Sequence, residues 1–237
     1  MRRLAVFDID GTLTDTNSVD DECYVQAVAE TLGLDPQSLD WSDAPEITDA
    51  ALLRWLAERH ARALAPTHEP AILSRFLELL RHHLASTPSR FRPISGAPLV
   101  RAALEHRGWH VALATGGWAA SARLKLAAIG FDTTALVVVT ASDALTRREI
   151  VQLALHKATE QYGSVDRVVS IGDAVWDVHT AAAVGWPFVG VASGGRADRL
   201  RARGAATILP DLADVSALCA ALDAATIPQA GVAPPAV

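Results

Sequence analysis

The feature that most constrains the fold is the alternation, over the second half of the chain, of short apolar runs with stretches of helical spacing. The apolar runs lie at 111–114, 136–139, 168–171, 188–191 and 206–209. Helix-compatible stretches separate them, at about 118–129, 146–162, 173–183 and 211–224. Buried strands that alternate with helices are typical of βαβ units. The sequence therefore predicts an α/β fold, in which a parallel sheet is covered by helices on both faces in three layers.

A further apolar run, Leu4 to Phe7, is separated from the others by a block without convincing strands. Within this block apolar residues recur at helical spacing over about 18–32, 45–64 and 69–84, and prolines punctuate the helices. We therefore expect a helical subdomain inserted into the sheet domain. The expected division is 1–16 and 91–226 for the α/β core, 17–90 for the helical insert, and 227–237 for a disordered tail without periodicity.

Composition narrows the class of protein. Of 237 residues, 50% are hydrophobic, which is enough for a large core, and the formal net charge is −6. No cluster of basic and aromatic residues indicates a nucleic-acid duplex as partner, and no apolar run approaches the roughly 18 residues of a membrane span. Two cysteines far apart suggest neither a disulfide framework nor a zinc site. We expect a soluble, cytoplasmic protein whose oligomeric state the sequence does not reveal.

The first candidate site follows the first apolar run directly. Asp8 and Asp10 are separated by one residue, and Gly11 permits a tight turn after them. Ligands of open α/β sheets bind beyond the carboxyl ends of the strands, and two carboxylates there suit Mg²⁺. An ordinary acidic turn is an equal alternative for this motif alone. Two features argue against an EF-hand: Gly11 falls at the wrong loop position, and a strand rather than a helix precedes the motif.

Two further candidate sites follow later strands. Asp173 follows the run 168–171 after one intervening glycine, and Asp177 lies four residues further on. If Asp173 begins a helix, both carboxylates lie on the same face of that helix. Helix capping by Asp173 and solvation of Asp177 are the alternative. At the run 111–114, Thr115 and Gly116 offer a hydroxyl and backbone N–H groups at a helix start, which is a natural anion site. A plain strand-to-helix turn is the alternative there.

Together, in this order and each at a strand end, the three motifs resemble those of the haloacid dehalogenase-like hydrolase superfamily, in particular its C1-capped, phosphoglycolate-phosphatase-like branch. The resemblance extends from about residue 3 to residue 210. It implies a Rossmann-like core, with the helical block 17–90 as a C1-type cap. By the same resemblance, Asp8 is the nucleophile, Asp10 is the general acid and base, and Mg²⁺ is the cofactor. The implied magnesium ligands are Asp8, the backbone carbonyl of Asp10 and Asp173, with Asp177 orienting them.

The resemblance also implies a phosphate-binding set: Thr115, the N–H of Gly116, and a cation, with Thr12 supporting the Asp10 loop. Many relatives carry Gly-Lys-Pro where this chain has Arg147 and Arg148. We assign Arg147 as the cation, since arginine can hold phosphate as a bidentate fork. Arg148, and also Lys125 and Lys157, remain alternatives, and both lysines are expected on the surface of their helices. These are the only lysines in the chain.

The expected activity is Mg²⁺-dependent hydrolysis of a small phosphorylated metabolite through an aspartyl-phosphate. Asp10 argues against dehalogenation, since dehalogenases of the superfamily lack the second aspartate. The block 17–90 contains no lysine, which argues against a phosphonatase. A sugar-phosphate mutase and a catalytically idle phosphate-binding protein remain alternatives. The segment 46–49 resembles a cap segment of some relatives, although Thr48 is expected mainly to cap a helix. The substrate is not readable from the sequence.

Overall fold

A computed structural model of the protein describes residues 1–229. Within these residues the strands are β1 (Arg3–Phe7), β2 (Thr14–Asp15), β3 (Arg92–Pro93), β4 (Trp109–Ala114), β5 (Val137–Val139), β6 (Arg167–Gly172), β7 (Phe188–Val191) and β8 (Thr207–Leu209). Six of them form one parallel sheet in the order β5-β4-β1-β6-β7-β8. All six apolar runs predicted as strands belong to this sheet. The predicted Rossmann-like α/β fold is confirmed.

The α-helices described within residues 1–229 are α1 (Asn17–Leu32), α2 (Asp49–Arg59), α3 (His68–Ser86), α4 (Ala97–His106), α5 (Ala119–Ala128), α6 (Arg147–Tyr162), α7 (Val175–Val184), α8 (Gly194–Ala202) and α9 (Val215–Ala224). Short 3₁₀ helices lie at Pro36–Ser38 and Pro88–Arg90. Helix α2 is shorter than the predicted stretch 45–64. It begins at Asp49 because the hydroxyl of Thr48 accepts the N–H of Ala51, as the sequence predicted for a capping threonine.

The central strand β1 shows how the three layers arise. Successive side chains of a strand point to opposite faces of the sheet. Ala5 and Phe7 accordingly join one apolar cluster with α4, α5 and α9, whereas Leu4 and Val6 join another with α6. Strand β1 pairs on one side with β4 and on the other with β6. The carboxyl ends of these three strands are therefore neighbours at one edge of the sheet.

Helices α1, α2 and α3 lie within the segment 17–90 and share a separate apolar cluster. The chain enters and leaves this segment through the small antiparallel pair β2 and β3, which the sequence did not indicate. Trp118, from the loop after β4, is buried in the same cluster and lies 5.8 Å from Tyr24 and 6.1 Å from Phe76 between ring centroids. The helical segment therefore packs against the loop that leaves β4.

The end of the described chain lies against the sheet domain. The N–H of Phe188 donates to the carbonyl of Thr226, and a Cβ built on Gly204 would overlap the backbone of Gln229. Most of the tail predicted as disordered, 230–237, lies outside the described residues. Every helix within residues 1–229 is too short or too polar to span a lipid bilayer.

Candidate active site

The first aspartate motif sits where β1 ends. The N–H of Asp8 donates to the carbonyl of Ile171 at 2.9 Å, so the ladder with β6 continues one residue beyond the strand. Gly11 follows with φ of +82°, and a Cβ at this position would overlap the carboxylate of Asp173. Glycine thus permits both the turn and the close approach of the two motifs. The juxtaposition of Asp8 and Asp173 follows directly from the β1–β6 pairing.

Three buried carboxylates form a cluster at this edge of the sheet: Asp8, Asp173 and Asp177 each offer an oxygen within 4.8 Å of the others. Asp177 belongs to the first turn of α7, where its Oδ2 accepts the N–H of Ala174 at 3.1 Å. Burial, and then the charge of Asp177, raise the pKa of Asp8 well above its ordinary range, although Arg147 opposes this. The same two causes raise the pKa of Asp173 to about 7.

These residues fit a hard divalent cation. The donors are all carboxylate oxygens, which suit Mg²⁺ and Ca²⁺. A cation among them would offset both the burial and the mutual repulsion that raise the two pKa values. Asp173 is further held by Asn17 and by Arg196, each donating to its Oδ2 at 3.3 Å. The carboxylate of Asp10 is not a member of the cluster. Ligation by the backbone carbonyl of Asp10 stays a prediction.

Arg147 lies in the first turn of α6 and reaches into the site. Its Nη2 is 3.1 Å from Asp8 Oδ1 and 2.5 Å from Asp177 Oδ1. A Cβ on Gly116 would lie 2.5 Å from Nη1 of the same arginine, so this glycine leaves room for the guanidinium. The neighbouring Arg148 is exposed. The structure therefore brings Arg147 to the predicted nucleophile, while its role as the phosphate-binding cation stays a prediction.

Lys125 corrects one expectation from the sequence, since it is fully buried rather than on the surface of its helix. Its ammonium lies 2.6 Å from Asp10 Oδ2 and 2.6 Å from Asp20 Oδ1. Burial alone would lower the pKa of Lys125, but the two carboxylates outweigh it and raise the pKa. The other oxygen of Asp10 accepts the hydroxyl of Thr16 at 2.6 Å. Lys125 and Thr16 therefore hold the carboxylate of Asp10 from two sides.

Thr12 is predicted to support the Asp10 loop; its N–H donates to the carbonyl of Ile9 at 3.3 Å, while its hydroxyl points elsewhere. The hydroxyl donates instead to Asp173 Oδ1 at 3.3 Å, because the turn at Gly11 directs Thr12 toward β6. The loop of Asp10 is held by Thr14, whose hydroxyl donates to the carbonyl of Ile9 at 3.3 Å. The hydroxyl of Thr12 thus contacts a predicted metal ligand, and its support of the Asp10 loop stays a prediction.

The start of α5 also differs from the expectation of several free N–H groups. The N–H of Trp118 donates to Asp49 Oδ2 at 2.7 Å, and the N–H of Ala119 donates to Ser142 Oγ at 3.1 Å. The N–H of Gly117 donates to Thr115 Oγ1 at 3.2 Å. These three backbone N–H groups therefore already have side-chain hydrogen-bond acceptors, whereas the first N–H groups of an isolated helix have none. Thr115 and Gly116 still line the cavity beside Asp8.

The cavity above these groups has a volume of about 150 Å³. The sheet edge contributes its floor, with Asp8, Asp10, Thr115, Gly116 and Arg147. Helices α1 and α2 contribute three further aspartates that the sequence analysis did not assign to the site: Asp20, Asp21 and Asp49. Within the segment 46–49, Thr48 caps α2, and Ile47, Thr48 and Asp49 line the cavity. No local spacing linked these aspartates to the motifs, because α1 and α2 are separated from β4 and β6 along the chain.

Fold and site together define a class: a parallel α/β protein with a cluster of carboxylates that could hold a metal ion at the carboxyl edge of its sheet. The haloacid dehalogenase-like hydrolase family matches residues 3–185. The chain belongs to this family, and the recognition made from its motifs is confirmed. No curated protein matches the chain in sequence.

Solved structures share the fold at low sequence identity. CbbY from Rhodobacter sphaeroides in complex with phosphate has a TM-score of 0.69 at 20% identity, covering 94% of this chain and 100% of that one. A mutant of CbbY in complex with xylulose-(1,5)bisphosphate has a TM-score of 0.67 at 19% identity, with coverage of 90% and 96%. A protein described as a predicted phosphoglycolate phosphatase, from Haemophilus somnus, has a TM-score of 0.60 at 17% identity, with coverage of 92% and 98%.

Proposed function

We propose that the protein is a magnesium-dependent phosphohydrolase that cleaves a small phosphate monoester through an aspartyl-phosphate on Asp8. The observation that supports this most directly is the surroundings of Asp8. Its carboxylate lies at the floor of a cavity, 3.1 Å from the guanidinium of Arg147 and within 4.8 Å of Asp173 and Asp177. Phosphoryl transfer needs such a combination of a nucleophile with charge neutralisation around the phosphoryl oxygens.

In this proposal Asp8 attacks phosphorus and the P–O bond to the leaving group breaks. Asp10 donates a proton to the departing alkoxide and later takes one from the water that hydrolyses the aspartyl-phosphate. The contacts of Asp10 with Lys125 and Thr16, both 2.6 Å, would hold its carboxylate in place between these steps. Arg147, Thr115 and the N–H of Gly116 would hold the phosphoryl oxygens.

Asp8 and Asp173 would hold Mg²⁺ together with the backbone carbonyl of Asp10, and Asp177 would orient the set. When bound, the ion would offset the charge of the crowded carboxylates and of the phosphoryl group. The helices of 17–90 would act as a cap that covers the site and contacts the leaving group. Coverage is supported by the cavity, since α1 and α2 supply part of its wall.

The test is the hydrolysis of p-nitrophenyl phosphate by the wild-type protein and by Asp8→Asn, with and without Mg²⁺. We expect wild-type turnover that EDTA abolishes and excess Mg²⁺ restores, and a loss of at least about 10³-fold in Asp8→Asn, because the amide cannot act as the nucleophile. The matched control is Asp15→Asn in the same motif. Asp15 is exposed and pairs with Arg92 at 2.8 Å, away from the cavity floor.

Turnover retained in Asp8→Asn would reject Asp8 as the nucleophile. A wild-type protein that binds phosphate but releases no p-nitrophenol would favour the catalytically idle alternative. A sugar-phosphate mutase would instead pass the phosphoryl group to a second hydroxyl, so a slow release of inorganic phosphate beside rapid isomerisation of a sugar phosphate would identify that activity.

A further inference from the structure

The part of the cavity wall that α1 and α2 supply is acidic. Asp20, Asp21 and Asp49 line it, and Arg147 is the one arginine or lysine among the described residues that line this cavity. Arg147 is already engaged by Asp8 and Asp177. The ammonium of Lys125 is fully buried behind the wall, where it bonds to Asp10 and Asp20. Both cations are therefore already paired with carboxylates.

Asp49 supplies a second, independent indication. The residue is 8% exposed, and the hydrogen bond from the N–H of Trp118 reaches only its Oδ2. Among residues 1–229 no side chain or backbone group donates to its Oδ1, and no cation lies within 4.0 Å of the carboxylate. Burial, and then the charge of Asp20, raise the pKa of Asp49 well above its ordinary range, and a cation bound beside the carboxyl group would favour its ionised form. Buried polar atoms normally have a hydrogen-bond partner, so a donor on a bound ligand is suited to pair with Oδ1 of Asp49.

Aromatic rings also line the same cavity. Tyr24, Trp41 and Trp176 line it, and the rings of Tyr24 and Trp41 meet edge to face with centroids 6.1 Å apart. Trp176 is 37% exposed and lies at the start of α7, beside the acidic cluster. Aromatic faces attract ammonium groups, and they do so most strongly where water is excluded. Carboxylates combined with aromatic rings are thus suited to an organic cation.

We infer that the substrate is a small phosphate monoester whose leaving group carries an ammonium, held by Asp49 and Asp21 against these rings; this inference rests on the proposed function. Hydrolysis would break the ester P–O bond, add water, and release an amino alcohol and inorganic phosphate. The volume of about 150 Å³ is below the roughly 300 Å³ at which pockets for drug-sized ligands begin, which favours a leaving group of a few heavy atoms. A carboxylate or a second phosphate in that position would face Asp49 and Asp21 directly.

Three substrates of equal chain length isolate the terminal charge: 2-aminoethyl phosphate, 2-hydroxyethyl phosphate and carboxymethyl phosphate. We expect kcat/KM to fall in this order, by about tenfold or more at each step, since a hydrogen bond between charged partners contributes at least that much to discrimination. Equal values for the three substrates, or preference for the carboxylate, would overturn the inference. p-Nitrophenyl phosphate separates this failure from that of the proposed function, because its hydrolysis tests the chemistry without a charged leaving group.

Two variants then assign the selectivity to named residues. In Asp49→Asn the ratio of kcat/KM for 2-aminoethyl over 2-hydroxyethyl phosphate should fall about tenfold, and in Asp21→Asn by about two- to threefold, because Asp21 is exposed and solvent screens its charge. Asparagine retains an oxygen for the N–H of Trp118, and circular dichroism checks the fold. An unchanged ratio in folded Asp49→Asn would also overturn the inference. If that variant does not fold, the order of the three substrates on the wild-type protein decides.

Discussion

Replacement of Lys125 by methionine would remove the ammonium that joins Asp10 to Asp20 while keeping an apolar side chain of similar length. Both contacts are 2.6 Å and the lysine side chain is 0% exposed, so no water takes the place of the lost partner at low cost. Removing one partner of a buried ion pair costs about 3–5 kcal/mol, because the other charge is left buried and uncompensated. This is a large share of the roughly 5–15 kcal/mol by which folded proteins are stable.

The protonation state of Asp20 decides whether the loss is about 3 or about 5 kcal/mol. Burial raises the pKa of Asp20 to about 7 even though Lys125 opposes the shift. Without the ammonium the carboxyl group of Asp20 would be neutral at pH 7, which limits the penalty to about 3 kcal/mol. For a chain of this size that corresponds to a fall in Tm of about 6–12 °C. Lys125 also holds the carboxylate of Asp10 in place, so we expect kcat with p-nitrophenyl phosphate to fall about tenfold or more in Lys125→Met.

Urea unfolding at pH 7, followed by circular dichroism, measures the free energy of unfolding. The matched control is Lys157→Met, the same change at the only other lysine of the chain. Its side chain is 38% exposed and pairs with Asp143 at 3.1 Å, so we expect a loss of about 0–1 kcal/mol and no change in kcat. Adding Asp20→Asn to Lys125→Met should recover part of the stability. The reasoning is refuted if Lys125→Met unfolds at the same urea concentration as Lys157→Met.

Two further changes test the floor of the site, each with a matched control. Arg147→Lys should lower kcat/KM about 10- to 100-fold, because an ammonium cannot replace the two-pronged contact of a guanidinium. Arg148→Lys, at the exposed neighbour, should leave kcat/KM within about twofold. Equal losses in the two variants would contradict the assignment of Arg147 as the phosphate-binding cation. Gly33→Ala should lower the free energy of unfolding by about 1–2 kcal/mol, since its φ is +64° and its Cβ would meet no other atom. Gly11→Ala should lower it by more, since its φ is +82° and its Cβ would in addition overlap the buried carboxylate of Asp173. Only Gly11→Ala, whose Cβ overlaps Asp173, should also raise the Mg²⁺ concentration needed for half-maximal activity, and an unchanged requirement would argue against Asp173 as a ligand.

The fold was largely predictable because it depends on local patterns. The six strands of the sheet are all short apolar runs, and the helices between them follow from spacing over single turns. The order of the site motifs along the chain was equally visible, since each motif directly follows a strand. Parallel pairing then brings their strand ends to one edge without further information, as the contact between the turn at Gly11 and Asp173 illustrates.

The limits of the sequence are clearest at the wall of the cavity. The sequence did not indicate the small β2–β3 strand pair or the hydrogen bond from the N–H of Trp118 to Asp49. It also did not indicate the hydrogen bond from the hydroxyl of Thr12 to Asp173. Each is a polar contact between segments that no periodicity connects. A side chain that satisfies a distant backbone group leaves no signature in the residues around it.

The sequence by itself determined the α/β class, the strand-end motifs and the family, because each rests on residues close together in the chain. Only the tertiary structure decided that Lys125 is buried, that Arg147 rather than Arg148 reaches Asp8, and that the cavity wall is acidic. Lys125 lies 115 residues from Asp10 and 105 from Asp20, and Arg147 lies 139 from Asp8. A charged side chain such as that of Lys125 can be buried only where the packed helices bring oppositely charged groups to it. The residues next to it in the sequence do not indicate which groups these will be.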